Sequence, residues 1–237
     1  MSKTTAMSIT TSGLFLALVL GAAPPWSADV QKARDTQNRI ELGRIAGQLS
    51  VLAGKQTNDA EAQYQAALAN SVLAEIAAEV RDKNQAQAAA EAGMKAAERA
   101  VSLKPANAEY HRILGTLCGQ EAAAVGGLGA LRYGRSSLEE INKALELDPK
   151  ASLNYLSHGI GNYYLPAALG GGAEPAIKDF EKAIALDARS ADAHLWLGLA
   201  LRKANRDAEA RKEFQKSLEL NPARIWTKEQ LAKTPAH

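Results

Sequence analysis

The chain has 237 residues, with 28 Lys and Arg against 26 Asp and Glu, a formal net charge of +2, and the two signs are interspersed along it. One cysteine and 5% aromatic residues leave no intramolecular disulfide, no cysteine-based metal site and no basic stripe with interleaved aromatics, so a nucleic-acid partner is not expected. Alanine is abundant while Val, Ile and aromatics are scarce, a balance that favours helix over sheet and predicts an all-α fold.

Residues 1–28 differ from the rest. Lys3 precedes the apolar run Gly13 to Ala23, which has the length of a signal-peptide core and is too short to persist as a bilayer span. The expectation is an exported, periplasmic (cell-envelope) chain with no stable transmembrane span after processing. An uncleaved N-terminal anchor is the alternative. The run contains no cysteine, so a lipoprotein is not expected.

From Asp29 to Gly54, Ile40, Leu42, Ile45, Leu49 and Leu52 recur at helical spacing, and residues 29–57 read as one N-terminal docking helix. Asn58 to Arg81 is a second helix, followed by a turn at Asp82-Lys83-Asn84 and a third helix, Gln85 to Leu103, with Gly93, Ala97 and Ala100 on its packing face and Pro105 closing it. The next unit opens at Ala108, carries Leu114 and Gly115, and closes with Ile141, Ala144 and Pro149. The one after it opens at Ser152 with Tyr155 and Gly159 and closes with Ala176, Phe180, Ala183 and Ala188. The last, Ala191 to Pro222, has Leu197 and Gly198 on its first helix, a turn at Asn205, Asp207 as the expected cap of the second helix, then Ala210, Phe214 and Pro222. Unit ends at Pro105, Pro149, Ala188 and Pro222 are spaced by about 44, 39 and 34 residues.

Those small, aromatic and closing residues at fixed places resemble the tetratricopeptide repeat (TPR), a helix–turn–helix of about 34 residues. The fold class predicted is thus an all-α, TPR-type helical solenoid, its array spanning 58–222 in units 58–105, 106–149, 150–188 and 189–222, with a capping helix and tail over 223–237. Gly-rich insertions separate the helices of the middle units, around Gly126 to Arg135 and Pro166 to Pro175. A capping box at Ser136 and Glu139 and the proline at Pro175 are expected to start the helices that follow. The insertions are expected to fold back as a shelf or lid, the second over Tyr163 and Tyr164; the alternative is a surface insertion with no role, since loops accept insertions at little cost.

No residue set for chemistry stands out. Gly127, Gly129 and Gly170 to Gly172 lack the spacing of a phosphate loop, and Glu174 at the next helix start would repel an anion. Glu139 and Glu140 read as a helix's first turn. His111, His158, His194 and His237 lack metal-site spacing, and Cys118 reads as a small buried residue. Neither enzyme activity, cofactor nor metal is expected.

The resemblance to TPR domains implies a concave groove lined by the first helix of each unit. Its groove-facing positions fall on Glu109, Arg112, Thr116, Gly119 and Gln120; on Leu153, Leu156, Ile160, Tyr163 and Tyr164; and on Asp192, Leu195, Leu199, Arg202 and Lys203. The groove is therefore expected to be polar at one end and apolar at the other, the alternative for the apolar half being that an insertion or the C-terminal helix already covers it. The Lys-and-Asn clamp of chaperone-binding TPR domains is absent from these positions, so an acidic tail peptide is not the expected ligand. The function implied is a non-catalytic exported binding module that holds a protein partner or an apolar, extended ligand. More narrowly, the short exported chain with lengthened first helices and Gly-rich insertions resembles the T-component family of TRAP transporters, periplasmic partners of a substrate-binding protein.

Overall fold

The computed structural model describes residues 26–235, and among these the secondary structure is helical throughout. The signal-peptide reading of 1–28 therefore lies almost wholly outside the described residues. The helices are α1 (Ser27–Asp35), α2 (Arg39–Lys55), α3 (Ala60–Glu79), α4 (Lys83–Leu103), α5 (Ala108–Val125), α6 (Gly127–Leu147), α7 (Ser152–Tyr164), α8 (Ala173–Leu186), α9 (Ala191–Lys203), α10 (Asp207–Leu220) and α11 (Ile225–Ala232). Antiparallel pairs α3/α4, α5/α6, α7/α8 and α9/α10 stack in order, so the chain is the expected all-α TPR-type solenoid.

The turns between units repeat one device. Asp148, Asp187 and Asn221 each accept a bond from the backbone N–H two residues on, at 3.0, 3.0 and 3.2 Å, which turns the chain out of α6, α8 and α10. Buried polar side chains of the following helix then give a second donor to carbonyls at the end of the preceding one. Gln63 donates to the carbonyls of Ala53 and Gln56, and Asn154 to those of Ala144 and Asp148. Asp59, Asp82, Asn107 and Ser190 cap α3, α4, α5 and α9.

Within each pair the close approach is made at a small residue. A Cβ on Gly198 would stand 2.6 Å from the Phe214 ring, one on Gly159 2.5 Å from Phe180, and one on Gly115 2.6 Å from Ile141. Gly198 thus lies under Phe214, while Ala210 and Ala176 are fully buried beside their aromatic neighbours in the same cluster.

The structure departs from the sequence reading in several places. The N-terminal stripe is two helices, because the chain breaks at Gln37, whose φ is +52°; Ile40 and Leu52 then fall outside the apolar face at 89% and 39% exposure. The turn before α4 is one step earlier than expected, with Arg81 at φ +65° and Asp82 as the cap. The first insertion is helix: Gly126 and Gly127, at φ +69° and +55°, make the turn, and the Ala, Leu and Arg residues after them extend α6 backwards. Ser136 and Glu139 are therefore inside a helix and form no capping box, and Glu139 and Glu140 are not in its first turn. Arg206, not Asp207, precedes α10, and no side chain caps that helix, although Asn205 takes the expected left-handed turn at φ +61°.

The second insertion is a loop with a 3-10 turn at Ala167–Leu169, tied to its own unit by a bond from Gly172 N–H to Asn162 carbonyl at 2.8 Å. Leu169 is 60% exposed and Tyr164 65% exposed, so this loop does not roof the tyrosines. Pro175 sits in the first turn of α8.

Candidate functional site

The first helices α3, α5, α7 and α9 are neighbours, and their side chains are stitched together across the array. Gln120 donates to the Ser71 carbonyl at 3.0 Å, Arg112 to the Ser157 hydroxyl at 3.2 Å, and Thr116 lies 3.4 Å from that same hydroxyl. Arg112 is itself buried, with two bonds of 2.6 and 2.5 Å to Glu109. Burial works against its charge, but the Glu109 carboxylate more than offsets this and keeps the guanidinium ionised. The polar half of the predicted groove is thus largely self-paired.

The apolar half is mostly filled. Leu156, Leu195 and Leu199 are 7%, 1% and 4% exposed, and they belong to the cluster that takes in Phe180, Phe214, Trp226 and Leu231. Ile160 packs on the same cluster from its edge. Helix α11 packs Trp226 and Leu231 on this cluster and is held by Arg202, which donates to the Gln230 carbonyl and side chain and to the Thr234 hydroxyl at 3.2, 2.7 and 3.3 Å. Lys203 lies 4.4 Å above the Tyr163 ring and donates to the Tyr163 carbonyl.

What stays open is Tyr164. Its ring meets Tyr163 edge-on at 5.1 Å and Trp196 at 6.1 Å, and Trp196 in turn meets Trp226 at 5.7 Å. Burial and the nearby Tyr163, Glu79 and Glu75 push the Tyr164 hydroxyl up to about 12. Glu75 and Glu79 of α3 thus lie close to this exposed ring.

Those carboxylates belong to a group that sequence spacing does not reveal. Arg34 on α1 donates to Glu75 on α3 at 2.7 Å and to Asp192 on α9 at 2.9 Å. Arg224, 1% exposed between α10 and α11, donates to Glu79, to Glu75 at 3.1 Å and to the Arg34 carbonyl at 3.0 Å. Asn221 reaches Asp35 at 3.0 Å. Burial opposes the charge of Asp192, but Arg34 and Arg224 hold its carboxyl below the usual range.

Elsewhere, a hollow of about 430 Å³ between α4, α5 and α6 is lined by Met94, Leu114, Cys118 and Tyr133, with Glu98, Arg132, Ser136 and Glu140 at its rim. Burial, with Glu140, Glu98 and Glu121 near, pushes the Cys118 thiol up to about 12, far from a nucleophile's range. His111, His158 and His194 each bond one carboxylate, Glu140, Asp179 and Glu213. Among the described residues no three His, Cys, Asp or Glu side chains gather as a metal site, and no helix is long and apolar enough to cross a membrane.

Residues 28–165, more than half of the chain, match the model of the family described as regulator of microtubule dynamics protein 1-3. The chain belongs to that family. Residues 191–224 match a tetratricopeptide repeat model, which makes this regulator of microtubule dynamics family member a TPR protein as well. Among solved structures it is similar to a thermophilic TPR protein from Thermus thermophilus, at 18% identity, covering 85% of this chain and 99% of that one with a TM-score of 0.59. It is also similar to the HusA haemophore from Porphyromonas gingivalis, at 19% identity, covering 76% and 96%, with a TM-score of 0.57. At these identities the likeness is one of fold. No curated protein matches the chain.

Proposed function

We propose that this chain is a non-catalytic scaffold that holds an extended segment of a partner protein against its concave face, centred on Tyr164. The observation that carries this reading is an ordered aromatic ring, 65% exposed, whose position is fixed by Tyr163 and Trp196 in a wall that is otherwise paired or filled. A rigid aromatic with a polar tip gives contact area at little entropic cost, the character of an interface anchor. TPR domains as a class bind proteins, and both family matches point the same way. Replacing Tyr163 and Tyr164 together with Ala is expected to abolish capture of the partner by a photo-crosslinker placed elsewhere on the concave wall, with helical content unchanged. Equal capture by the double variant would remove the tyrosines from the interface.

Export is part of the proposal, and it bears on the partner's class. A protein that regulates microtubules works where microtubules are, and an exported chain does not meet them. Mass spectrometry of the native N-terminus decides: a start between Ala23 and Asp29 supports an envelope partner, and an intact Met1 supports a cytoskeletal one. The lengthened first helices α3 and α5 favour a second reading, a T-component-like accessory of a transport system. Trimer formation and co-purification with a substrate-binding protein would support it, and their absence would remove it.

A further inference from the structure

Two ends of a short solenoid need not meet, yet here they do, and charges and hydrogen bonds make the junction. The apolar cluster that holds α1 and α2 and the cluster that holds α9, Phe214 and Trp226 share no residue. Between them stand Arg34 and Arg224 against Glu75, Glu79 and Asp192, with Asn221 on Asp35 and Gln37 on Glu79. A junction of this kind differs from the seams inside the units. Separating it exposes ionic groups, which water solvates well, and no core. Its net worth is small, because the desolvation of buried ions cancels most of their attraction. The pairing is also incomplete: three carboxylates face two guanidiniums, and Arg224 Nε is buried without a partner.

We propose that this cluster is a releasable clasp that regulates access to the concave face, a proposal that rests on the binding reading above. Closed, α1 and the α10–α11 turn are tied across the array, beside Tyr164. Opened, the two ends part as rigid bodies, each with its own apolar cluster intact, and the wall from α3 to α9 becomes free for an extended chain.

The test uses the full chain with Cys118→Ala and spin labels at two exposed sites, Ile40→Cys and Lys228→Cys. The parent chain is expected to give one short distance. Arg224→Met should shift it to a longer, broader distribution with unchanged circular dichroism. Asp192→Asn, near-isosteric and confined to one pair, should give a partial shift and covers the case in which Arg224→Met does not fold. An unshifted distance in a folded variant overturns the clasp. Benzoylphenylalanine at residue 164 then reports access in the same chains: Arg224→Met should raise the yield of crosslinked partner severalfold. Separated labels with an unraised yield overturn the regulation while the clasp motion stands. No crosslink from parent or variant overturns the concave-face reading itself and the regulation with it.

Discussion

The α3–α6 half and the α7–α10 half solve the same packing problem with different residues. In the C-terminal half each first helix offers a glycine and each second helix lays a phenylalanine ring over it, Phe180 on Gly159 and Phe214 on Gly198. In the N-terminal half the helices are longer, 20, 21, 18 and 21 residues; α3 and α4 meet through Ala66, Ala67, Ala74, Ala90 and Ala97, and α5 and α6 at Gly115 under Ile141, where the other half has Phe. A ring buries much area at one point, whereas an alanine seam spreads small contacts over more turns, so it needs length.

The largest expected effect tests the point contact. Phe214 is fully buried, and Phe214→Ala should cost about 3–5 kcal/mol. Hydrogen exchange should show protection lost first in α9 and α10 and kept in α3 and α4. Equal loss in both halves would break the comparison, since it would make one cooperative unit of the two.

Next comes the glycine beneath. A Cβ on Gly198 would meet three atoms of the Phe214 ring at 2.6 to 3.0 Å, and the ring is walled in. One on Gly93 would meet a Leu117 methyl at 2.6 Å, the flexible end of its side chain, and Asn70 Cβ at 3.1 Å. Gly198→Ala should therefore cost about 1–3 kcal/mol and Gly93→Ala clearly less, read from denaturant midpoints. The reverse order would show that the alanine seam is the tighter of the two.

The same contrast explains what the sequence made legible. Gly198, Phe214, Asn205 and Pro222 each act on a neighbour within their own unit, so spacing alone places them. The insertion at Gly126 to Arg135 misled because its glycines punctuate only the turn, while its Ala, Leu and Arg residues carry on as helix. The groove positions lie on first helices, but Leu195 and Leu199 are buried in the cluster on which Trp226 and Leu231 of α11 pack, which is the alternative in which the C-terminal helix covers the apolar half. Arg34, Glu75, Glu79 and Arg224 had no signal, since each reads as an ordinary charged residue, three on helices and Arg224 in the turn before α11, and they come together only where the two ends meet.

That junction supplies a pH dependence with an unusual sign. Glu79 faces Glu75 on its own helix, Arg224 from the α10–α11 turn, Gln37 before α2, and Arg34, Asp192 and Tyr164 nearby. Burial first, and then Glu75, push its carboxyl up to about 7 in spite of Arg224. A carboxyl raised on folding binds more protons folded than unfolded between its ordinary value and about 7, so stability falls as pH rises through that window, and the penalty is complete above it. Melting temperature should accordingly decline from pH 5 to pH 8, and Glu79→Gln, whose amide keeps the shape of the carboxyl group without its charge, should flatten that part of the decline. An unaltered slope in the variant would show that Glu79 is not the source of the decline.

The smallest effect sharpens the comparison from outside both halves. Helix α2 carries Gly43, Gly47 and Gly54, and a Cβ on any of them would meet nothing within 4 Å. Here glycine makes no close approach, in contrast to Gly198 and Gly159, and it leaves the helix with the entropy cost of an unbranched backbone. Gly47 is exposed in mid-helix with ordinary helical geometry, so alanine fits without strain. Gly47→Ala should thus stabilise the chain by roughly 0.5–1 kcal/mol, through helix propensity and a less disordered unfolded state. The gain should appear as a higher denaturant midpoint with an unchanged slope. A loss instead would mean that α2 lies against a surface that a Cβ disturbs, which would make α2 a binding face and move attention from the inner wall of the solenoid to its N-terminal edge.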